Sequence, residues 1–261
     1  MSEITQERKP VRVRPVPAVT RSIAILRLLG GQKQGMGVKA IADKLGLIPS
    51  TCLHILRVLV DENLVRQEPG TKRYVLASGM VSLARSVLGS TGFASLAQPA
   101  LDRLTAAYGI TAMGVELTQR GTMLVLAAAR PDQPVQLHAD VGSEFPCMTS
   151  ATGRLVAAYG DWTQDELRTR FRMIEWDQPP AVEEWLHEVA QTREQGWSVD
   201  RDRFKNGITA FAVPLLTSSG RLDHSLVAMG LSAGMGAIDS KALVADMRSE
   251  ADLMGCELVS A

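Results

Sequence analysis

"VKAIADKLGLIPSTCLHILRVLVDEN", Val38 to Asn63, carries two apolar helical patterns separated by a four-residue break at Gly46-Leu47-Ile48-Pro49. In the first, Val38, Ile41, Ala42 and Leu45 fall at i, i+3, i+4 and i+7, one stripe of an amphipathic helix that Gly46 then ends. Pro49 and Ser50 open the second, because proline suits a first turn and serine caps free backbone N–H groups. Its inward stripe is Cys52 or Leu53, Leu56, Leu59 and Val60. Ser50, Thr51, His54 and Arg57 are left on the outer face, polar or basic and of a size to reach base edges or phosphates. Lys39 on the first helix is a further candidate contact. An αα-hairpin with a solvated outer face fits these residues as well as a helix-turn-helix does.

The flanks favour the second reading. Upstream, "RSIAILRLL" (Arg21 to Leu29) supplies a third helix with Ile23, Leu26 and Leu29 turned inward. Downstream, "LVRQEPGTKRYVL" reads as strand, Pro-Gly turn and strand, with Lys72 and Arg73 at or just past the tip. Three helices followed by a basic hairpin describe a winged helix-turn-helix.

The chain has 261 residues, so two domains are expected. Its formal charge of zero conceals a split. Residues 1–90 hold 14 Lys and Arg against 6 Asp and Glu, a net of +8, and residues 91–261 hold 14 against 22, a net of −8. Phosphate contact with double-stranded DNA requires positive charge, and it lies in the segment with the helix-turn-helix pattern. Cys52, Cys147 and Cys256 lie far apart, without a CxxC or a paired histidine, which argues against zinc and for reduced thiols. No apolar run approaches the roughly 20 residues that span a bilayer. The N-terminal stretch lacks a signal core and reads as a mildly basic flexible arm, so a cytoplasmic protein without metal or cofactor is expected.

From Phe93 the pattern changes. "FASLAQPALDRLTAAYG" is a helix with Leu96, Ala100, Leu104 and Ala107 on one side. "ITAMGVELTQRGTMLVLAAAR" reads as strand, turn and strand, with a short strand at "PVQLHAD" and the loop "VGSEFPCM" after it. Helices are expected in "TSATGRLVAAYG", from Thr163 to Phe171 and from Pro180 to Gln195. Strands return in "WSVDR", "ITAFAVPLLT" and "HSLVAMGLSA", and a long helix runs from Ile238 to about Leu258. An antiparallel sheet flanked by helices is an α+β domain. The expected divisions are an arm at 1–18, a winged helix-turn-helix at 19–76, a linker helix at 77–92, and an effector-binding and oligomerisation domain at 93–261.

From Arg21 to about Leu258 the chain resembles the IclR family of bacterial transcriptional regulators. The motifs that carry the resemblance are "SIAILRLL", "IADKLGLIPSTCLHILRVLVDENLV" and "RYVLASGMVSLA", then "VGSEFPCMTSATGRLVAA", "REQGWSVDRD" and "NGITAFAVPLL". The resemblance implies a dimer, or a dimer of dimers, in which a GAF-like domain binds a metabolite and alters how winged helices sit on an operator. This chain departs from the family pattern in places. Pro49 stands where a basic residue is usual, His54 where arginine is usual, and Asn63 where glycine is usual. Arg203 occupies an often acidic place and Thr209 one that is often arginine.

In the family the loop and helix start at "MTSATG" line the effector pocket, which assigns Ser150, Ala151 and Thr152 to it. A helix start favours an anion, so the first turn through Gly153, with the cation of Arg203, suits a carboxylate. A simple N-cap is the plainer reading of the same residues. Trp197, Asp202, Arg203 and Phe204 come from the facing strand region, and Ala210 and Ser232 from the sheet. Met113, Phe145, Met148, Trp197, Phe204 and Phe211 supply an apolar wall. Cys147 has only His138 near it in sequence and reads as a buried or pocket-wall thiol, so catalysis is not expected. The expected function is operator-specific, ligand-responsive regulation, with a small organic and in one version aromatic acid as effector. Two alternatives stand beside it, a constitutive DNA-binding protein whose second domain only dimerises and a metabolite-processing enzyme with an accessory DNA-binding domain.

Overall fold

The computed structural model describes residues 16–32, 34–90, 92–133, 137 and 139–260. The chain divides into two compact units between Val87 and Leu88. Most of the expected arm and strand at residues 134–140, including His138, lie outside the described residues.

The first unit packs α1 (Pro17–Gly30), α2 (Val38–Leu45) and α3 (Pro49–Asp61) against a hairpin of β1 (Val65–Gln67) and β2 (Tyr74–Leu76). Gly46 takes φ 62° and closes α2, as a C-terminal glycine free of a Cβ does. The break is one residue shorter than expected, because Pro49 is already the first helical residue. The cap position belongs to Ile48, without a side-chain cap, so Ser50 does not cap α3. Cys52, Leu56 and Leu59 are its buried stripe, while Val60 is exposed. In α1 the buried residues are Ile25 and Leu29, and Ile23 is exposed, so the inward face is turned from the expected Ile23–Leu26–Leu29 stripe. Asn63 ends the helix pair with φ 56°, which asparagine tolerates better than most residues. Gly79 packs there so closely that a Cβ would lie 2.3 Å from the Asn63 carbonyl oxygen. A bridge between Met36 and Tyr74, which the sequence did not reveal, ties the hairpin to the segment before α2.

Helix α4 (Gly79–Ser90) follows. The second unit is a six-stranded antiparallel sheet in the order β5-β4-β3-β8-β7-β6. Its strands are β3 (Thr111–Leu117), β4 (Thr122–Ala129), β5 (Glu144–Pro146), β6 (Ser198–Arg201), β7 (Ile208–Leu216) and β8 (Leu222–Leu231). β5 lies within the stretch expected to be loop. The helices are α5 (Gly92–Tyr108), α6 (Ser150–Tyr159), α7 (Gln164–Arg172), α8 (Val182–Gln195), α9 (Ser232–Met235) and α10 (Ser240–Ser260). α9 takes up residues expected to extend the last strand.

Strand alternation builds two cores. Ala112, Phe211, Val213, Leu226 and Ala228 face α5 and α10. Met113, Val115, Ala210, Ala212 and Val227 face α6, α7 and α8. On α5 the buried set is Phe93, Ala97, Ala100, Leu101, Leu104 and Thr105, and Ala107 is exposed. Helix α6 is buried from Ala151 to Ala158 and forms the centre of the second core. A capping box fixes the start of α7: the Thr163 hydroxyl accepts from the Glu166 N–H, and Glu166 accepts from the Thr163 N–H. Among the described residues no helix is long and apolar enough to cross a membrane.

Candidate functional site

On the first unit, Ser50, His54 and Arg57 are exposed on α3, Thr51 is half-buried, and Lys39 is exposed on α2. One outer surface therefore carries polar and basic groups, while Cys52, Leu56 and Leu59 anchor the same helix. In the wing, Gly70 and Lys72 take φ values of 78° and 53°, and the Glu68 N–H donates to the Arg73 carbonyl at 2.7 Å. Lys72 and Arg73 are exposed at that turn.

On the second unit, a cavity of about 330 Å³ lies between the sheet and the start of α6. Met113, Val125, Phe145, Ala210, Val227 and Met229 form its apolar side, and Ser143, Glu144, Thr149, Ser150, Thr152, Asp200 and Lys205 its polar side. Phe204 and Ile208 also line it. The first N–H groups of α6 have no intrahelical acceptor, so this end carries partial positive charge. Ser150 adopts φ 55°, a left-handed conformation that is costly for a residue with a Cβ. Behind it, a Cβ on Gly153 would lie 2.1 Å from the Met148 carbonyl oxygen, so only glycine lets the loop pass this close to the helix. Asp202 is a second left-handed residue, with φ 60°.

The polar wall rests on an ion cluster. Arg154, 2% exposed, donates through Nε to Glu188 at 2.7 Å and through Nη1 to Asp200 at 2.9 Å and to the Ser150 carbonyl at 3.1 Å. The other oxygen of Asp200 accepts from the Phe204 N–H at 3.1 Å. One buried carboxylate thus joins β6, α6 and the loop that carries Phe204. Arg154, Asp200 and Lys205 were not singled out from the sequence. An arginine inside an otherwise apolar helix was the available signal, since a buried arginine requires partners.

The residues assigned to the pocket separate into groups. Met113, Phe145, Ser150, Thr152, Phe204 and Ala210 line the cavity. Ala151 and Gly153 are buried in the turn beneath it, and Met148 faces a neighbouring cleft. Asp202 and Ser232 bond to each other at 2.7 Å and stand outside the lining. Arg203 pairs with Glu184 at 2.9 Å, and Lys205 is the cation on the cavity wall. Trp197 and Phe211 stack on each other in the α5–α10 core, across the sheet from the cavity.

Cys52 and Cys147 are free and buried, and burial pushes both thiols up, against a smaller opposing pull from Arg170 on Cys147. A thiol held protonated is a poor nucleophile. Among the described residues no group of histidine, cysteine and carboxylate side chains is placed to hold a metal.

A helix-turn-helix with a wing, followed by an α+β domain that encloses a small apolar cavity, is the plan of a two-domain transcriptional regulator. The chain belongs to the IclR family: residues 18–69 match the IclR helix-turn-helix domain, and residues 85–252 match the domain described as bacterial transcriptional regulator IclR C-terminal. The glycerol operon regulatory protein of Streptomyces griseus is 30% identical over 209 residues, covering 77% of this chain and 80% of that protein. The structure of an IclR transcriptional regulator from Alicyclobacillus acidocaldarius superposes with a TM-score of 0.81 at 25% identity, covering 93% of this chain and 99% of the other. An IclR homolog from Microbacterium hydrocarbonoxydans, solved in complex with 4-hydroxybenzoate, gives a TM-score of 0.78 at 15% identity over 94% of this chain and all of its own. The chain is a DNA-binding transcriptional regulator, and its relatives are regulators rather than enzymes.

Proposed function

We propose that this regulator reads an operator through α3 and the wing and releases or engages it in response to a small organic acid, and that it governs genes for the catabolism of that acid. The head spans 19–76 and the helix at 77–92 links it to the sensing domain. His54, Ser50, Thr51 and Arg57 meet the bases and nearby phosphates, and Lys39, Lys72 and Arg73 meet the phosphate backbone. Two copies present two heads to the two halves of one operator.

The cavity at the start of α6 carries the effector reading. Its size is at the small end of ligand sites, its body is apolar, and its polar end combines a helix N-terminus and Lys205 with two carboxylates, Asp200 bonded to Arg154 and Glu144 bonded to Thr122. That combination suits a carboxylate on a flat or aliphatic body. The Microbacterium homolog's 4-hydroxybenzoate is an acid of this kind.

The test is titration of operator affinity with candidate acids for the wild type and Ser150→Asp. Aspartate occupies the left-handed region more readily than most residues, so the turn at φ 55° is kept while a negative charge is set at the anion site. The expected result is loss of the acid response with operator binding in the absence of acid nearly unchanged. A variant that responds like the wild type would show that the carboxylate does not sit at this helix start.

A further inference from the structure

The loop from Pro146 to Thr149 has the effector cavity on one side and, on the other, a cleft of about 680 Å³ between the β3–β4 turn and the end of α7. Thr149, Phe204 and Lys205 line both spaces. Arg120 from the turn and Arg170 from α7 also line the cleft, and Glu175 is the one acidic residue in its lining. Among the described residues, neither guanidinium takes part in a salt bridge, although Arg170 lies 3.7 Å over the Trp162 ring and acts on the exposed Glu166. Lys205 is 2.8 Å from Asp177. Residues 91–261 are acidic by a net of eight charges, whereas around this cleft three cations stand against Glu175 and the Lys205 partner Asp177, a small local excess of positive charge held by the two guanidinium groups.

Met148, Ile174 and Phe204 add an apolar floor between these cations. An arginine without a carboxylate partner keeps its planar fork of donors for a bidentate acceptor. A monoacid seated at the start of α6 would use Lys205 and the helix end and leave Arg120 and Arg170 without an anion.

We propose that the effector is a dianion, a small dicarboxylic acid with one carboxylate at the start of α6 and the other in the Arg120–Arg170 cleft. Lys205 stands between the two charges, and the body of the acid passes Phe204, which belongs to both linings. This inference rests on the cavity being the effector site and adds the ligand's second charge.

Calorimetric titration of the full chain with matched pairs tests it: benzoate against terephthalate, and hexanoate against adipate. The wild type should bind at least one diacid about tenfold tighter than its monoacid partner. In the double variant Arg120→Gln, Arg170→Gln that ratio should fall to about one while monoacid affinity stays within about twofold, which also shows that the cavity still folds. The double variant Arg120→Lys, Arg170→Lys, which keeps charge but not the fork, should retain part of the advantage. Equal affinity for monoacid and diacid in the wild type, or an advantage that survives both glutamines, overturns the dianion proposal. If monoacid binding is nonetheless abolished by Ser150→Asp, the cavity reading stands without it. If no acid of either kind binds, both fall.

Discussion

At Ser150 a left-handed backbone, a helix start and a cavity wall coincide, and each neighbour of this residue has a distinct physical task. Gly153 keeps the loop against the helix: Gly153→Ala would drive a Cβ to within 2.1 Å of the Met148 carbonyl oxygen, a backbone atom that cannot swing aside. The expected cost is about 2–3 kcal/mol or more, read by thermal or denaturant unfolding, with loss of acid binding. Asp200 and Glu188 flank Arg154, and Asp200 does so where both side chains are 2% exposed. Asp200→Asn leaves Arg154 balanced by Glu188 and removes one charge-assisted bond in the buried part of the cluster, which should cost about 1–3 kcal/mol; a loss below about 0.5 kcal/mol would mean that the amide oxygen replaces the carboxylate there. His224 gives the pH dependence. Its ring stacks on Phe93 with centroids 4.0 Å apart, and Nδ1 lies 3.0 Å from Asp223. Burial pushes the imidazole below its ordinary value, and Asp223 and Glu116 only partly oppose this. As pH falls the unfolded chain therefore takes up this proton first. The stability held by neutral His224 is present above about pH 6.5 and is lost as pH falls from there through the folded value. His224→Leu should flatten the fall in Tm over that window.

At the scale of elements, the proposed operator contacts divide specificity, on α3, from affinity, in the wing. His54 stands exposed on α3 and Lys72 at the wing turn, so the two should fail differently. His54→Ala is expected to relax base preference by roughly 1–3 kcal/mol at one position per half-site, whereas Lys72→Asn, which keeps the left-handed turn, should weaken binding to all sequences and flatten its salt dependence. Uniform losses from both, measured by competition binding at several salt concentrations, would contradict this division. The helices and strands were legible because period 3.6 and period 2 are written in the apolar residues. Which face of each looks inward was less so. Ile23 and Ile25 are both apolar, and only packing against α3 and the hairpin decides that Ile25 is buried. Ala210 and Phe211 illustrate the same limit within the candidate site. Adjacent strand residues point to opposite faces, so Ala210 lines the cavity and Phe211 stacks on Trp197 in the other core. β5 was hidden because three residues are too few to show alternation. Lys205 was hidden because "DRFK" offers two cations, each of which finds a carboxylate, Arg203 with Glu184 and Lys205 with Asp177, and only the path of the loop decides that Lys205 reaches the cavity wall.

For the whole molecule, charge and exposed apolar surface point to the way copies assemble. Residues 1–90 are basic and residues 91–261 acidic, so on the proposed reading attraction to phosphate favours operator contact through the first unit. One head offers too small an interface for a unique site, and a second copy doubles it and fixes the half-site spacing. On α1, Ile25 is consumed by the head's own core and Leu28 is half-buried against it, so neither is available for pairing. Val19 and Ile23 on α1 and Val81 and Leu83 on α4 are instead more than two-fifths exposed. Apolar side chains in that number on two helices of a small basic unit are a liability for a monomer and an asset for a pair. Sedimentation of the wild type at micromolar concentration should therefore give a dimer or a tetramer. Ile23→Arg combined with Val81→Arg should lower the assembly by one level and weaken binding to a two-half-site operator far more than to a single half-site. The substitutions add positive charge, so a loss of operator affinity cannot come from weaker attraction to phosphate. A variant that keeps the wild-type sedimentation coefficient and operator affinity would place the dimer contact elsewhere on the chain.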